Sequence, residues 1–531
     1  MSLTTKLVEM MPFAKVSKGA MQLGRLIEGL AVRDFRGDSA IEIKGLAYDS
    51  RAIRPGDLFI ALRGSAGDGH KFINDALQNG AVAVVAEQFD EVHEKIALIR
   101  TSDSRKALSF LAANFFKRPF KDMNLIGITG TNGKTTTSYL LESILSGAGA
   151  KPGVIGTINY RFSGKKHNAP VTTPESLDLM RILANMKDED VTDVIVEVSS
   201  HALAQGRTRD CPFRVAVFTN ISRDHLDYHG TMESYFEAKS LLFRGLSKDG
   251  SEGLSRAVIN TDDPKGKDLA EITGAPVVTY GLGDGVDVTA IRAKATMNGL
   301  TARLLTPAGE IDVRSSLIGA FNIYNILAAS ATALCLGMDL KQIASGIASL
   351  KGVPGRLELV KNNRSLPVVV DYAHTPDALL KVLEAVRQLV SGRLITVFGC
   401  GGDRDKGKRI EMGRVAGKLS NLIFITSDNP RTEDPAAIVI QIEEGVREAG
   451  MKKLNGCSHD WNSSGYMVDL DRANAIGRAV SAAGEKDLII IAGKGHEDYQ
   501  IIGTDKRHFD DREVAEKAAS KEPECRLHGA K

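Results

Sequence analysis

A strand, a glycine turn and a helix follow one another without a gap in residues 125–146, LIGITGTNGKTTTSYLLESILS. Leu125, Ile126 and Ile128 form an apolar run that predicts a buried strand. Gly130, Thr131, Asn132, Gly133, Lys134, Thr135 and Thr136 then make a tight turn. Leu140, Leu141, Ile144 and Leu145 recur at helical spacing, and Gly147 and Gly149 mark the end. Such a turn leaves backbone N–H groups unpaired at a helix N-terminus, where the helix dipole favours an anion. Lys134 adds a full positive charge, and the Thr135 hydroxyl is placed to hold Mg²⁺. The strict phosphate-loop pattern wants a glycine at position 128, where this chain has Ile128, so the match is to G-x-x-G-K-T. A nucleoside triphosphate is the ligand this arrangement predicts, and an α/β sheet is the fold it requires.

At 531 residues the chain exceeds one core, and about three domains are expected. Lys and Arg total 68 against 66 for Asp and Glu, so the charge balance gives no reason to expect nucleic acid. Cys211, Cys335, Cys400, Cys457 and Cys525 are scattered with no C-x-x-C pair, which suits a reducing compartment rather than a disulfide framework or a zinc site. Charges at Lys6, Glu9, Lys15, Lys18 and Arg25 interrupt the first thirty residues, and no apolar run approaches membrane-span length. A cytoplasmic enzyme without membrane insertion is expected.

In chain order, residues 1–35 read as a short helical lead-in built on Leu23, Ile27 and Leu30. Residues 41–120 alternate strands (57–62, 81–86) with a helix at 106–116, which predicts a small N-terminal α/β domain. From residue 123 the strands at 194–198, 215–219, 257–260 and 277–280 predict a mostly parallel sheet with helices on both faces. Residues 301–317 read as a hairpin about Pro307-Ala308-Gly309, and an alanine-rich helix follows Asn325. Gly352-Val353-Pro354-Gly355-Arg356 is a break and a candidate hinge. Strands at 368–372, 394–399, 422–427 and 488–492 then predict a Rossmann-like C-terminal domain. The expected division is 1–122, 123–356 and 357–531.

Ligands on such sheets bind at the carboxyl ends of the strands. Glu197 ends one strand, expected beside the phosphate loop, where a carboxylate suits Mg²⁺, and its residue type alone leaves a helix-capping carboxylate as an equal reading. His225 and Lys239 lie further on, and their residue types alone leave a backbone-bonded histidine and a solvated lysine as equal readings.

The text from Tyr48 to Glu513 resembles the Mur ligase family. The matching runs are DSR (49–51), GDLF (56–59), TGTNGKTTT (129–137), TTP (172–174), EVSSH (197–201), NISRDHLDYHG (220–230), FNIYN (321–325), GVPGRLE (352–358), DYAHTPD (371–377), GGDRDKGKR (401–409), DNPR (428–431) and GKGHEDYQ (493–500), in the family's order. The resemblance implies an ATP- and Mg²⁺-dependent amide ligase acting through an acyl phosphate. Its N-terminal domain would bind a UDP-sugar peptide, its central domain ATP, and its C-terminal domain the incoming amino acid. It implies that Tyr48, Ser50, Ser65, Ala66 and Gly67 hold the UDP moiety. Thr172, Thr173, Ser199, Gln205 and Arg207 would grip the muramoyl peptide. Asn322, Arg356, Asp371 and His374 would add ATP contacts to those of Gly130 through Thr136. Thr135, Glu197, His225 and Lys239 match metal-site positions, Lys239 as a carbamate, and with Lys134 the last three form the expected catalytic set.

For the amino acid, the resemblance points to Arg404, Asp428, Asn429, Pro430, Arg431, Gly493 and Glu497. Meso-diaminopimelate differs from lysine by a second carboxylate, which an arginine fork neutralises bidentately. Arg431 matches the family's diaminopimelate reader, so UDP-MurNAc-L-Ala-D-Glu and meso-diaminopimelate are the expected small-molecule substrates of a monomer. A lysine-adding ligase, a folylpolyglutamate-type ligase and a non-catalytic nucleotide-gated binding protein are the rival readings.

Overall fold

The computed structural model describes residues 19–64, 67–89, 96–246, 255–364, 366–454, 461 and 463–520. Three large sheets, of five, eight and six strands, carry most of the described residues. The central one has eight strands in the order Lys165–Asn168, Asn159–Phe162, Pro152–Ile155, Asp193–Glu197, Asn124–Thr129, Phe213–Phe218, Arg256–Asn260 and Val277–Tyr280. From Pro152–Ile155 onward all neighbours are parallel; only the 159–168 hairpin is antiparallel.

The residues of the inner parallel strands are buried on both faces, which is why they read as nearly continuous apolar runs. Alternation decides which layer each one joins. Ile126, Ile128 and Ile195 pack with Leu140, Leu141 and Ile144 of the helix Lys134–Gly147 and with Ile326 and Leu327 of Asn322–Cys335. Leu125, Val194 and Val196 face the other layer, with Leu179 and Leu183 of the helix Ser176–Asp188 and Phe243 of Met232–Arg244. That second layer also takes in Leu108, Leu111 and Phe115 of the helix Ser104–Phe115, so the N-terminal sheet and the central sheet share one core.

The N-terminal sheet runs Val32–Arg36, Ala97–Thr101, Ala83–Ala86, Asp57–Ile60, Gly45–Ala47, parallel except for its first strand. This corrects the helical lead-in. Residues 1–18 of that lead-in lie outside the described residues; among the described ones up to residue 35 only Leu23–Leu26 is helical, a single turn, and residues 32–36 pair as an edge strand. Leu23 and Leu26 are fully buried against the sheet, so tertiary packing outweighed the helical spacing. The expected 301–317 hairpin is likewise part of a three-stranded meander, Thr289–Thr296, Gly299–Thr306 and Gly309–Ser315. Its first strand is partly exposed and lacks the apolar run that announces the others.

The C-terminal sheet has the order Glu358–Leu359, Val368–Asp371, Leu488–Ala492, Leu394–Phe398, Leu422–Ile425, Gly465–Val468, parallel beyond its first pair. Gly465–Val468 is a strand the sequence reading passed over. Helices cover both faces, and on one of them Arg472 forms a fully buried, two-bond ion pair with Asp511. Among the described residues no helix is long and apolar enough to cross a membrane.

Candidate functional site

The central strand Asn124–Thr129 lies between Asp193–Glu197 and Phe213–Phe218, where the strand order reverses direction. Its carboxyl end therefore opens into a crevice, and the glycine turn sits there. Gly133 has φ +89, and a Cβ on it would stand 2.5 Å from Asn325 Oδ1, so glycine alone fits at the helix entry. Lys134 folds back on the turn, donating to the carbonyls of Gly130 at 2.7 Å and Thr131 at 2.9 Å. Burial lowers its pKa, against the opposing charges of Glu197 and Asp224.

Glu197 is completely buried. Its Oε2 accepts hydrogen bonds from the hydroxyls of Thr135 and Thr157, each at 2.8 Å, and its Oε1 accepts one from the Thr157 N–H at 3.3 Å. A Cβ at Gly156 would come within 2.3 Å of that Oε1, so the glycine leaves room for the carboxylate. A carboxylate and a hydroxyl at a phosphate cradle are hard oxygen donors of the kind Mg²⁺ takes while keeping water and phosphate in its remaining positions. The donor set fits. Thr157 was not anticipated; it stands on the loop after Pro152–Ile155 and carries no motif.

From Glu197 the bonds continue toward the expected peptide side. Thr157 meets the Thr172 hydroxyl at 3.1 Å, and Thr173 donates to the Glu197 carbonyl at 2.8 Å and accepts from the Ser199 N–H at 3.0 Å. Arg207 donates to the Thr173 carbonyl at 2.8 Å and to Gln205 Oε1 at 2.7 Å. Thr172, Thr173, Ser199, Gln205 and Arg207 are thus one connected set. On the N-terminal side, the Tyr48 hydroxyl donates to Asp178 at 2.7 Å, and Ser50 is buried with its carbonyl accepting from Asn79 at 3.0 Å. The Gly67 carbonyl accepts from Gly64 at 2.8 Å; Ser65 and Ala66 lie outside the described residues.

His225 begins the short helix Leu226–His229 with φ +54. Its ring stands 4.8 Å from that of His201, and its Nε2 3.5 Å from Asp224. Burial depresses its pKa, with Asp224 opposing. Lys239 is buried under the Tyr235 ring at 4.4 Å, and among the described residues no hydrogen bond or ion pair reaches its ammonium. Burial, aided by the charge of Lys134, holds its pKa well below the usual lysine value. Among the described residues no three His, Cys, Asp or Glu side chains cluster as a metal site. Glu197 and His225 belong to separate hydrogen-bond sets, and Lys239 offers a metal ligand only as a carbamate.

The C-terminal unit reaches the phosphate loop across a seam. Asp377 Oδ2 accepts from Asn132 Nδ2 at 3.0 Å, the Ser222 hydroxyl at 2.8 Å and Lys381 at 2.9 Å. Arg356 Nη2 approaches Thr135 at 3.4 Å and stacks on Tyr372 at 4.7 Å. Asp371 accepts from the N–H groups of Leu357 at 2.7 Å and Ala373 at 2.8 Å, and the His374 ring bonds the Tyr372 carbonyl at 2.8 Å. That bond places the His374 proton on Nδ1. Asn322 is already engaged, donating to Ile318 and accepting from Asn325. In the sequence Asp377 stands out only as the last residue of DYAHTPD (371–377); its contact with the loop is visible only in three dimensions.

The amino-acid candidates converge at the carboxyl ends of the C-terminal strands. Arg431 (φ +52) donates from Nη1 to the Gly402 carbonyl at 2.7 Å, and its backbone bonds Ile501 and Gly503 at 3.1 and 2.7 Å. Pro430 precedes it in the turn. Arg404 donates to the Asp403 carbonyl at 2.9 Å; burial and the neighbouring Arg431 charge lower its pKa. Asn429 donates to Glu497 Oε2 at 2.8 Å. Gly493, at φ +117, clears Asp428, whose Oδ2 would lie 2.5 Å from a Cβ there.

Comparison with known proteins gives three family-model matches: the Mur ligase middle domain over residues 128–333, the Mur ligase glutamate ligase domain over 355–495, and the catalytic domain of the Mur ligase family over 42–116. The chain is 48% identical over 496 residues to the UDP-N-acetylmuramoyl-L-alanyl-D-glutamate–2,6-diaminopimelate ligase of Geobacter metallireducens, covering 93% of this chain and 97% of that one. It is 49% identical to the protein of the same name from Geobacter sulfurreducens, with the same coverage. A solved structure of a ligase so named superposes with a TM-score of 0.67 at 33% identity, covering 94% of this chain and 99% of its own. A MurF structure from Acinetobacter baumannii shares the fold at a TM-score of 0.63 and 21% identity, covering 90% of this chain and 96% of its own.

Proposed function

The chain belongs to the Mur ligase family, and from that premise we propose that it joins meso-diaminopimelate to the D-glutamyl γ-carboxylate of UDP-N-acetylmuramoyl-L-alanyl-D-glutamate at the expense of ATP. The products are the UDP-MurNAc-tripeptide, ADP and phosphate, a step of cytoplasmic peptidoglycan-precursor synthesis. One observation carries the reading beyond the likeness to relatives. An unbroken run of hydrogen bonds joins the phosphate cradle to the candidate peptide grip, through Thr135, Glu197, Thr157 and Thr172.

A carboxylate becomes an acylating group only when one oxygen is made a leaving group. The γ-carboxylate, oriented by Thr172, Thr173, Ser199, Gln205 and Arg207, attacks the γ-phosphorus of ATP. The bond to the β-phosphate breaks, and ADP departs from the acyl phosphate. Lys134 leaves the carbonyls of Gly130 and Thr131 for phosphate oxygens and neutralises charge there. Asn322, Arg356, Asp371 and His374 complete the nucleotide site, with Arg356 the cation nearest Thr135 from the far side of the seam.

Thr135 and Glu197 would hold Mg²⁺, and His225 with carbamylated Lys239 a second ion. When bound, these ions neutralise developing charge on phosphoryl and acyl oxygens. The burial of Lys239 supports the modification, since an amine must be neutral to attack CO₂ and releases a proton on forming the carbamate. A neutral amine of diaminopimelate then attacks the acyl carbon, the tetrahedral adduct expels phosphate, and the amine proton is lost. Arg404 and Arg431 take the distal carboxylate, while Asp428 and Glu497 take an ammonium. Tyr48, Ser50 and the loop of Ser65, Ala66 and Gly67 anchor the UDP end. Closure of the seam excludes water from the acyl phosphate.

The test is incubation of the purified protein with UDP-MurNAc-L-Ala-D-Glu, ATP and either meso-diaminopimelate or L-lysine, with mass detection of the tripeptide. Diaminopimelate product is expected. A lysine tripeptide in its place would make this a lysine-adding ligase, and no ADP from any mixture would leave a nucleotide-binding protein without catalysis.

A further inference from the structure

The amino-acid side of the site contains a buried cation that none of the steps above employs. Lys494 follows the strand Leu488–Ala492 by two residues, and no part of it is exposed. Its ammonium donates to the Tyr499 carbonyl, to Glu497 Oε2 at 3.2 Å and to Asn429 Oδ1 at 3.4 Å, with the Tyr499 ring 5.3 Å away. Three segments meet on this one group: the end of the strand, the loop that carries Arg431, and the hairpin formed by Tyr499–Ile502 and Asp505–His508.

The bonds around it are directional. Asn429 donates to the same Glu497 Oε2 at 2.8 Å and accepts the Ile501 N–H on its own Oδ1 at 2.9 Å. Glu497 therefore receives both donors on one oxygen, and among the described residues its Oε1 receives none. Burial and the charge of Asp428 push the Glu497 carboxyl up, and Lys494 is the cation that opposes them. Two carboxylates in a buried pocket stay ionised together only if a cation accompanies them.

We propose that Lys494 is a positioning residue for amino-acid selection. It fixes the Glu497 carboxylate so that one oxygen remains for an ammonium of the incoming amino acid, and through Asn429 it holds the loop bearing Arg431. The inference rests on the ligase reading and deepens it. It also makes Lys494 part of the positive charge that favours a substrate with two carboxylates over lysine.

Lys494→Met keeps the length and removes the charge and the donors. The expected result is a KM for diaminopimelate raised about tenfold or more, with the KM values for ATP and for the UDP-dipeptide within about twofold, and a reduced preference for diaminopimelate over lysine. Because Lys494 acts through Glu497, adding K494M to Glu497→Gln should cost less than about twofold further. An unchanged KM for diaminopimelate, additive effects of K494M and E497Q, or a parallel rise of all three KM values with a lowered Tm would each overturn the proposal. If K494M does not yield folded protein, K494Q, which can still donate to the Tyr499 carbonyl, carries the same expectations. The wild type is assayed alongside: if it joins another amino acid, the function reading fails there, and the variants are then judged on the KM for that amino acid.

Discussion

The phosphate cradle and the proposed amino-acid pocket both sit at the carboxyl ends of parallel strands, yet they are built in opposite ways. The cradle is contiguous. Seven successive residues supply its backbone donors, its lysine and its hydroxyl, and one carboxylate from the neighbouring strand completes it. The pocket is dispersed. Arg404, Asp428, Asn429, Arg431, Gly493 and Glu497 come from three loops and meet only because their strands are neighbours in the sheet. A contiguous site forms wherever its strand, turn and helix form, because its geometry is local. Dispersed sites can change what they select, because each loop varies by itself.

The difference can be broken most sharply at Lys134. Lys134→Met should lower kcat by about 10³-fold or more, since it removes the charge proposed to meet the transferring phosphoryl group. Binding of diaminopimelate, followed by calorimetry, should stay within about twofold. If the amino acid is also lost, the two sites are one unit.

Arg431→Lys should do the reverse. It replaces the proposed two-pronged contact with a point charge, so the KM for diaminopimelate should rise about 100-fold, or about 3 kcal/mol, while the KM for ATP is unchanged. Equal loss for lysine and diaminopimelate would detach Arg431 from the distal carboxylate.

Asp377 tests how the two regions communicate, because its carboxylate is one contact from the C-terminal unit to the phosphate loop. Asp377→Ala should lower kcat/KM for diaminopimelate about tenfold and weaken the gain in its affinity caused by a non-hydrolysable ATP analogue. Nucleotide binding alone should change less. A preserved gain would mean that the seam does not transmit nucleotide binding.

The smallest effect is on stability against pH. The His201 imidazole is pushed down to about 4 by burial and by its neighbour His225. Between the ordinary histidine value and that one, the unfolded chain holds the proton and the folded chain does not. Stability should therefore fall as pH drops from about 6.5 to about 4. Urea midpoints at pH 7 and pH 5 should separate more in the wild type than in His201→Asn.

Much of the fold could be read along the chain. The strands at 194–198, 257–260, 277–280, 368–372 and 488–492 stand within a residue or so of their expected ends, because doubly covered parallel strands are written as uninterrupted apolar runs. Some of the misses share a cause. Residues 32–36 and 289–296 are edge or exposed strands, and Leu23 and Leu26 pack on a sheet rather than along a helix stripe. Thr157 and Lys494 escaped for another reason: a threonine in a loop carries no pattern, and Lys494 stands in the GKGHEDYQ run (493–500) where its residue type alone gives it no role.

What the chain's order of residues determined by itself was the phosphate cradle, since a strand, a glycine turn and a helix start are local and their donors point one way once those elements form. Glu197, one strand away, was legible because parallel neighbours end together. Tertiary structure alone decided that Asp377 would touch Asn132, that Thr157 would share Glu197 with Thr135, and that Lys494 would bind Glu497 and Asn429 at once. Except for the short Lys494–Glu497 step, those contacts join residues 40 to 245 positions apart. At such separations the order of strands in a sheet, not the spacing of residues along the chain, determines which side chains share a crevice.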